Sequence, residues 1–426
     1  MLLAGFALLT ISAVTLSILS KRFSPLLALF LFPVASSLAL HFGWQTGTFI
    51  VFGIRDIAPV IGTFVFAILF FGVLRDADVL EPPIAWLIRH MGVRPSRIVP
   101  TSALLALLIH LDGSGAVVFL VTIPALLPIY EQLRMDRRLL ACSTSLAAGV
   151  NFLPWTGPTL RAAAALHVSP IGLFRPMIGV QLVGLGYVFA VCWWLGIREE
   201  RRLAVAGTDL VVAEAANAVK LPAKFTLNVV LGLVVLGLAI SGRVEPVIAF
   251  MLGATLALLL NFPSLHQQHE RLARHAPSAL LMAAILFSAG SFSGIMKGTG
   301  MFAALASVFG QHIPFAAAPH IPVLLGLVAM PLSLVFDPDS FYLGVLPILA
   351  GVASVASVPP VQVGQAALLG QMTTGFPISP LTPATFLVVG LSDITLAEHQ
   401  RYTGPYLLLA SIVMTMAAVL FRVFPI

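Results

Sequence analysis

The feature that most restricts the fold of this chain is a series of long apolar runs separated by short polar breaks. Charged residues make up only 9% of the 426 residues, whereas a soluble domain averages about 25%. A membrane-spanning helix needs roughly 20 mostly apolar residues, and several runs reach that length with their flanks. The runs are Leu2–Ser20, Ser24–Leu40, Pro59–Val73, Gly172–Leu195, Val229–Ile240, Val247–Leu260, Ala276–Ala289, Val323–Val335 and Tyr406–Leu420. We therefore predict an all-α polytopic membrane protein with about eleven or twelve membrane helices.

Charge and cysteine content exclude several other classes of protein. The net charge of +6 fits Lys and Arg side chains at membrane edges. No basic run with interleaved aromatic residues appears, so we predict no nucleic-acid partner. Cys142 and Cys192 lie inside apolar stretches and predict buried free thiols. Leu2–Ser20 has no positive segment before it and predicts a retained first span, not a signal peptide.

A cluster of charged residues divides the chain near its midpoint. Residues 197–224 carry nine charged side chains, whereas the flanking segments are apolar. This pattern predicts a first membrane repeat over residues 1–196, a polar linker over 197–220 and a second membrane repeat over 221–426.

The two halves share landmarks that indicate a duplicated unit. The tetrapeptide Ala-Ile-Leu-Phe occurs at residues 67–70 and again at 284–287. Asp112 and Asp337 are 225 positions apart, and so are Pro158 and Pro383. A shared spacing of independent landmarks is typical of transporters built from internal repeats.

Each half contains an apolar stretch interrupted at an aspartate. The first interruption is Leu111–Gly115, between the short apolar arms 101–109 and 116–127. The second is Phe336–Ser340, between arms 323–335 and 341–350. Because lipid offers no hydrogen bonds, a break at membrane depth must line a cavity or lie against protein. We predict two re-entrant hairpins with their tips at these aspartates.

A second pair of breaks is rich in proline, at Asn151–Thr159 and Phe376–Thr385. Proline removes backbone donors and interrupts a helix, and the half-helix that follows presents free N–H groups to an anion. Alternative interpretations remain at this stage. The two tips could also be loops at the membrane surface, and the prolines could also be kinks in packed helices. Arg161 could neutralise a bound anion or extend to the membrane interface. His110 could take part in a proton relay or simply be a packed residue.

At these breaks the sequence resembles the citrate–divalent-metal:proton symporters of the ion transporter superfamily. In the first half the resemblance rests on Leu111–Gly115, on Thr122–Pro128, and on Ala147–Gly149 with Asn151–Thr159. In the second half it rests on Phe341–Pro347 and Ser379–Thr385. The sequence departs from the family pattern at both tips, with Ser114 where a second aspartate is expected and with Asp337-Pro338-Asp339-Ser340 before Phe341.

The resemblance implies a fold and a function. The fold is two inverted repeats, each with a re-entrant hairpin and a broken transmembrane helix, arranged as a scaffold and a transport domain. The function is secondary transport of citrate or a related carboxylate by an elevator-type movement, in a homodimer. The expected location is the bacterial inner membrane. No resident cofactor is implied, and the co-transported cation is Mg²⁺, Ca²⁺ or H⁺, with Na⁺ left open.

From the breaks and the resemblance together we predict two sets of site residues. The donors to substrate carboxylates are Ser114, Gly115, Asn151, Thr156, Gly157, Thr159, Ser379, Thr382 and Thr385. The cation-coupling residues are Asp112, Asp337, Asp339 and Ser340, of which the three aspartates are also the candidates for a metal. Hard oxygen ligands of this type suit Mg²⁺ or Ca²⁺.

Two other functions compete with this one. A cation/proton antiporter or inorganic-anion carrier of the same superfamily would use Asp112 and Asp337 for a proton-coupled cation site. A membrane aspartyl protease would use them as a dyad, but the Tyr-Asp and Gly-x-Gly-Asp surroundings of such enzymes are missing from the sequence. We predict that the chain is no enzyme.

Overall fold

The computed structural model describes residues 2–20, 22–79, 81–205, 222–241, 243–312, 318–336, 338–355 and 357–424. Every element in these ranges is helical, as predicted. Asp337, a predicted tip residue, lies outside the described residues, and so does most of the predicted linker. Its first nine residues, 197–205, continue the preceding helix. The division into residues 1–196, 197–220 and 221–426 therefore stays a prediction.

In the described ranges, ten α-helices precede residues 206–221 and nine follow them. The first ten are α1 Leu2–Leu19, α2 Pro25–Ala39, α3 Gln45–Asp76, α4 Glu81–His90, α5 Pro95–Ile109, α6 Gly115–Gln132, α7 Arg137–Gly149, α8 Gly157–Leu166, α9 Pro170–Phe174 and α10 Ile178–Val205. The others are α11 Phe225–Ser241, α12 Pro246–Asn261, α13 Leu265–Gly298, α14 Met301–His312, α15 Ile321–Leu332, α16 Leu346–Val355, α17 Pro360–Ala367, α18 Pro383–Ser392 and α19 Leu396–Leu420. A π-helical turn, Ser340–Val345, precedes α16.

Five helical segments of the described chain are long and apolar enough to cross a membrane. They are Gln45–Asp76, Gly115–Gln132, Pro170–Ala204, Leu265–Gly298 and Leu396–Leu420. Seven shorter apolar helices accompany them. Gly115–Gln132 is the second arm of the first hairpin and is longer than predicted, because Pro124 and Pro128 lie inside the helix without ending it.

The duplication predicted from sequence is visible in the helix ends. Thr156 and Thr382 each stand immediately before a ten-residue helix. The residues that follow these two helices, His167 and Asp393, are both left-handed. Each matched pair is separated by 226 positions (382 minus 156, and 393 minus 167). The prolines gave 225 because Pro158 is the second residue of α8, whereas Pro383 is the first residue of α18.

The long helices α3 and α13, one from each half, pack against each other more extensively than any other pair of described helices. Gly53 faces Gly290 and Gly72 faces His275, so the two helices run antiparallel. A Cβ on Gly53 would lie 2.0 Å from the carbonyl oxygen of Gly290, and one on Gly294 would lie 2.2 Å from that of Phe49. Glycine is thus required here because the two backbones touch, as in other close membrane helix pairs.

This close contact makes a first prediction. Gly53→Ala forces the two backbones apart and should lower the free energy of unfolding by about 3 kcal/mol, as overpacking does. Gly47→Ala, on the same helix, is the matched control because no atom lies within 4 Å of a Cβ at that position. Thermal melting in detergent measures both variants. Equal melting temperatures for G53A, G47A and the unmodified protein would contradict the contact.

Candidate functional site

The first hairpin tip is a tight turn closed by its own aspartate. Helix α5 ends at Ile109, the chain makes a 3₁₀ turn, and Gly113 takes a left-handed φ of 76°. Asp112 Oδ1 then accepts a hydrogen bond of 2.7 Å from the Ser114 backbone N–H. Asp112 therefore stabilises the start of α6, and its second carboxylate oxygen remains available for another partner.

Trp155 fixes this tip against the first proline-rich break. Its Nε1–H donates to the Leu111 carbonyl oxygen at 2.8 Å, and its ring packs against Phe71 and Phe250. This hydrogen bond joins the hairpin and the broken helix into one unit.

The first break is closed by the side chains of two predicted substrate ligands. Thr159 Oγ1 donates to the Phe152 carbonyl oxygen at 3.1 Å. Thr156 Oγ1 donates to the Leu153 carbonyl at 2.8 Å and lies 3.2 Å from the Thr159 hydroxyl. Asn151 Oδ1 accepts from Gln181 Nε2 at 3.0 Å. These side chains satisfy backbone and side-chain groups of the break, and the cavity described below is lined by other residues.

The second break repeats this solution. Thr382 and Thr385 donate to the Phe376 carbonyl oxygen at 2.6 and 2.9 Å, and their hydroxyls lie 3.0 Å apart. Ser379 Oγ donates to the Ser333 carbonyl oxygen at 2.5 Å. Both halves thus have two threonines three residues apart, with neighbouring hydroxyls that bond backbone carbonyls of the break, and one of these carbonyls belongs to a phenylalanine. In this structure the hydroxyl protons already have acceptors within the protein. The direct contacts of these hydroxyls with substrate stay predictions.

A buried ion pair connects the first break to the second tip. Arg161 of α8 is only 6% exposed, and its Nε lies 2.7 Å from Asp339 Oδ1. Its other contacts are longer: Nη1 lies 3.4 Å from the Gly157 carbonyl and Nη2 lies 3.7 Å from Met282 Sδ. Because a guanidinium has five N–H donors, Arg161 retains donors that can serve an anion while Asp339 neutralises its charge.

A cavity of about 300 Å³ lies beside this pair. Its polar lining includes Arg75, Asp112, Ser114 and Arg161. Arg75 of α3 and Asp112 both line the cavity, and Arg75 Nη1 lies 3.7 Å from Asp112 Oδ2. The remaining lining residues are Phe64, Ala67, Ile68, Phe71, Gly72, Gly113, Gly115, Val117, Trp155, Gly157, His275, Ser278, Met282 and Met372. Binding sites for small molecules are typically clefts with mostly apolar walls and a few polar side chains.

Two helix N-termini face the same cavity. Gly115 is the first residue of α6 and Gly157 is the first residue of α8, and both line the cavity. The first N–H groups of a helix have no partner within the helix and carry its positive dipole end. Together with Arg75 and Arg161 they form a site suited to an anion.

The structure brings together part of each predicted residue set. Ser114, Gly115, Gly157 and Asp112 line the cavity, whereas Asp339 lies behind Arg161 and Ser340 is fully buried in the π-helical turn. Asp337 lies outside the described residues. Within the described ranges, no three His, Cys, Asp or Glu side chains gather as a metal site.

Arg75 is the site residue that sequence reasoning missed. It follows the long apolar run of α3, where a basic residue ordinarily marks the membrane edge. Its spacing of four residues from Phe71 places both side chains on one face of α3, and both line the cavity. Only the position of the first tip against α3 shows that this face lines a cavity.

The sequence model of the family described as citrate transporter matches residues 3–370. The chain belongs to the citrate transporter family. It is 36% identical over 406 residues to the citrate transporter of Bacillus subtilis (strain 168), covering 95% of each chain. It is 34% identical over 411 residues to the Mg(2+)/citrate complex secondary transporter of the same organism, covering 95% of this chain and 94% of the relative.

Solved structures support the fold. The YdaH transporter of Alcanivorax borkumensis, described as having an unusual topology, superimposes with a TM-score of 0.66 over 92% of this chain and 91% of its own, at 17% identity. MtrF of Neisseria gonorrhoeae, described among antimetabolite efflux pumps, gives a TM-score of 0.59 over 86% and 82%, at 13% identity.

These comparisons confirm three predictions. The resemblance to citrate symporters is confirmed by the family match, and the all-helical transporter fold by the solved structures. The prediction that the chain is no enzyme is also confirmed, because the full-length relatives are named transporters. The protein is an integral membrane transporter, and the aspartyl protease alternative falls away.

The buried Arg161–Asp339 pair makes a second prediction. Asp339→Asn leaves the Arg161 guanidinium uncompensated and should cost about 3–5 kcal/mol of stability, as breaking a buried pair does. The double variant Arg161→Gln/Asp339→Asn removes both charges and should recover most of that loss. Thermal unfolding of the single and double variants measures the coupling. If the stability loss of the double variant equals the sum of the losses of R161Q and D339N alone, the two side chains are not energetically coupled.

Proposed function

We propose that this protein is a secondary transporter that carries citrate, or a related di- or tricarboxylate, as a complex with a divalent cation and together with protons. The observation that carries the proposal is the composition of the 300 Å³ cavity, whose described lining combines two arginines, two helix N-termini and one carboxylate. A volume near 300 Å³ is at the lower end for ligand pockets and suits a small molecule.

The charge balance favours a metal complex over the free anion. Arg75 and Arg161 contribute two positive charges, and Asp112 and Asp339 contribute two negative charges. Among the described residues these charges cancel, and such a site with two helix N-termini suits a weakly negative ligand. Fully ionised citrate carries three negative charges, whereas its complex with Mg²⁺ or Ca²⁺ carries one. Burying the complex therefore costs less than burying the free trianion.

Asp112 is the residue we propose to contact the metal of the complex. Its Oδ1 is occupied by the Ser114 N–H, but Oδ2 faces the cavity, where only the 3.7 Å contact to Arg75 holds it. Mg²⁺ is commonly bound by one or two carboxylates plus oxygens of the substrate and water. In the same step Arg75 would exchange Asp112 for a substrate carboxylate. The names of the two Bacillus subtilis relatives support this substrate.

We further propose an elevator-type movement, in a homodimer, in the bacterial inner membrane. The tips, the breaks and α8 would form the transport domain, and the α3–α13 pair would belong to the scaffold. Helices α3 and α13 pack far more extensively against each other than either does against α8, as expected for a border along which two units slide. The bacterial relatives support the membrane assignment.

Uptake of radiolabelled citrate into proteoliposomes tests the proposal. With an inward proton gradient, Mg²⁺ or Ca²⁺ should stimulate uptake, and EDTA should abolish it. Purified protein should also be protected against thermal unfolding by citrate with metal. Uptake of a monovalent cation or an inorganic anion, without citrate uptake, would favour the antiporter or anion-carrier alternative.

Arg75 provides a third prediction. Arg75→Gln removes a charge-assisted contact to a substrate carboxylate and should weaken citrate binding about tenfold or more, since such contacts contribute about 1.5–3 kcal/mol. The KM for uptake measures the effect. Arg55→Gln is the matched control, because Arg55 lies on the exposed surface of the same helix and should leave KM unchanged. Equal KM values for both variants would exclude Arg75 from the site.

Asp112 provides a fourth prediction. Asp112→Asn keeps the Oδ1 acceptor for the Ser114 N–H, so the tip should fold normally, but the metal loses an ionised ligand. Coupled uptake should be abolished while the melting temperature stays within about 2 °C. We expect the same loss for Asp337→Asn. Metal-stimulated uptake at the unmodified rate in D112N would show that the cation role is assigned to the wrong residue.

A further inference from the structure

A second polar cluster lies away from the citrate cavity, at the opposite end of α8. His167 Nδ1 lies 2.6 Å from Asp56 Oδ2 of α3, and its Nε2 is hydrogen-bonded to the Ser293 hydroxyl of α13. Lys297 Nζ of α13 lies 3.4 Å from the same Asp56 oxygen. The imidazole is 8% exposed, whereas the side chains of Asp56 and Lys297 are 39% and 44% exposed.

We propose that this cluster is the proton-binding site of the transporter, with His167 as the residue that takes up the proton. This inference rests on the proposed function, since a coupling site requires a transported substrate. His167 immediately follows α8, the helix that carries Arg161 of the citrate cavity. The cluster therefore joins the proposed transport domain to the α3–α13 pair of the proposed scaffold.

The surroundings of His167 allow it to be charged or neutral without losing a partner. In the neutral form, Nδ1 lies against the Asp56 carboxylate, 2.6 Å from its Oδ2, and Nε2 accepts a hydrogen bond from the Ser293 hydroxyl. When a proton binds at Nε2, the Ser293 hydroxyl rotates and accepts the new N–H, because a hydroxyl can donate or accept. The Asp56 carboxylate then faces an imidazolium, which its charge stabilises.

Access and surrounding charge agree with this role. A cavity of about 170 Å³ is lined by His167 and Lys297, so a proton reaches the imidazole from that side. The Asp56 carboxylate favours the protonated imidazole, whereas Lys297 and the burial of the ring oppose it. The other elements packed against α8 are α9, α16, α17 and the π-helical turn, and their only titratable side chain is Tyr342, which donates to the Gln371 carbonyl.

The other histidine–aspartate pair on these helices is less suited to reversible protonation. Asp76 lies 3.1 Å from His275, but also 3.4 Å from Arg274 and 3.7 Å from Arg271. Two permanent cations on one carboxylate oppose a third positive charge nearby. At the position equivalent to His167 in the second half, Asp393 forms a permanent ion pair with Arg137. Of these two equivalent positions, only that of the first half carries an imidazole, which titrates near neutral pH.

The site also supplies a reason for coupling. His167 moves with α8, whereas Asp56 and Lys297 stay on the long helices. In the position described here, the Asp56 carboxylate stabilises the bound proton. When α8 moves, the imidazolium leaves this carboxylate and loses its stabilisation, so the proton is released on the other side of the membrane. Proton binding and substrate movement would thus be linked through one short helix.

Two assays on proteoliposomes test the proposal. Counterflow exchanges labelled for unlabelled citrate and needs no net proton movement, whereas accumulation driven by a pH gradient needs coupling. His167→Gln should keep counterflow close to the unmodified rate and should abolish the accumulation driven by the pH gradient, because the proposed proton-binding imidazole is gone. His90→Gln is the control, because His90 bonds only to the Trp86 carbonyl at an exposed helix end.

Asp56→Asn is a second variant with the same expectation, in case the glutamine is poorly tolerated. Gradient-driven accumulation at the unmodified level in a folded H167Q or D56N variant would overturn the proposal. Loss of counterflow together with accumulation, at an unchanged melting temperature, would also overturn it, because His167 would then act in the movement itself. Failure of counterflow in the unmodified protein would instead refute the proposed citrate function.

Discussion

The structure depends on one constraint: backbone groups that lose their helical partners inside a membrane must find partners in the protein. Both proline-rich breaks meet it in a similar way, with two threonines three residues apart whose hydroxyls bind backbone carbonyl oxygens of the break: those of Leu153 and Phe152 in the first half, and that of Phe376 in the second. Because these hydroxyls close the breaks, α8 and α18 can begin in the middle of the protein. The free N–H groups of α8 then become available to a ligand.

The charges around the cavity follow from the same constraint. A buried guanidinium is tolerated only beside a carboxylate, and Asp339 of the second tip provides it for Arg161. Asp112 and Arg75 form a looser pair on the opposite wall. One pair is tight and holds the two halves together, whereas the other is long enough to be opened by a ligand. This difference separates structural charge from charge that can take part in binding.

The two halves are similar in construction and different in chemistry. The helix ends correspond along the chain, yet the residue after the short helix is His167 in one half and Asp393 in the other. Duplication supplies the architecture of paired tips and breaks, and substitutions at equivalent positions then give each half its own task. In the first half these are the citrate cavity and the proton site proposed above.

The sequence alone determined the environment, the helical class, the four interruptions and the family, because apolar length, proline and glycine act locally along the chain. It also placed Asp112, Ser114, Gly115 and Gly157 near a site, since tips and helix starts are visible as motifs. It did not show that Thr156, Thr159, Thr382 and Thr385 close the breaks, nor that Arg75 and Asp56 contact elements far along the chain. Those contacts depend on how the first tip and α8 dock against α3 and α13, and only the tertiary structure decides which side chains meet there.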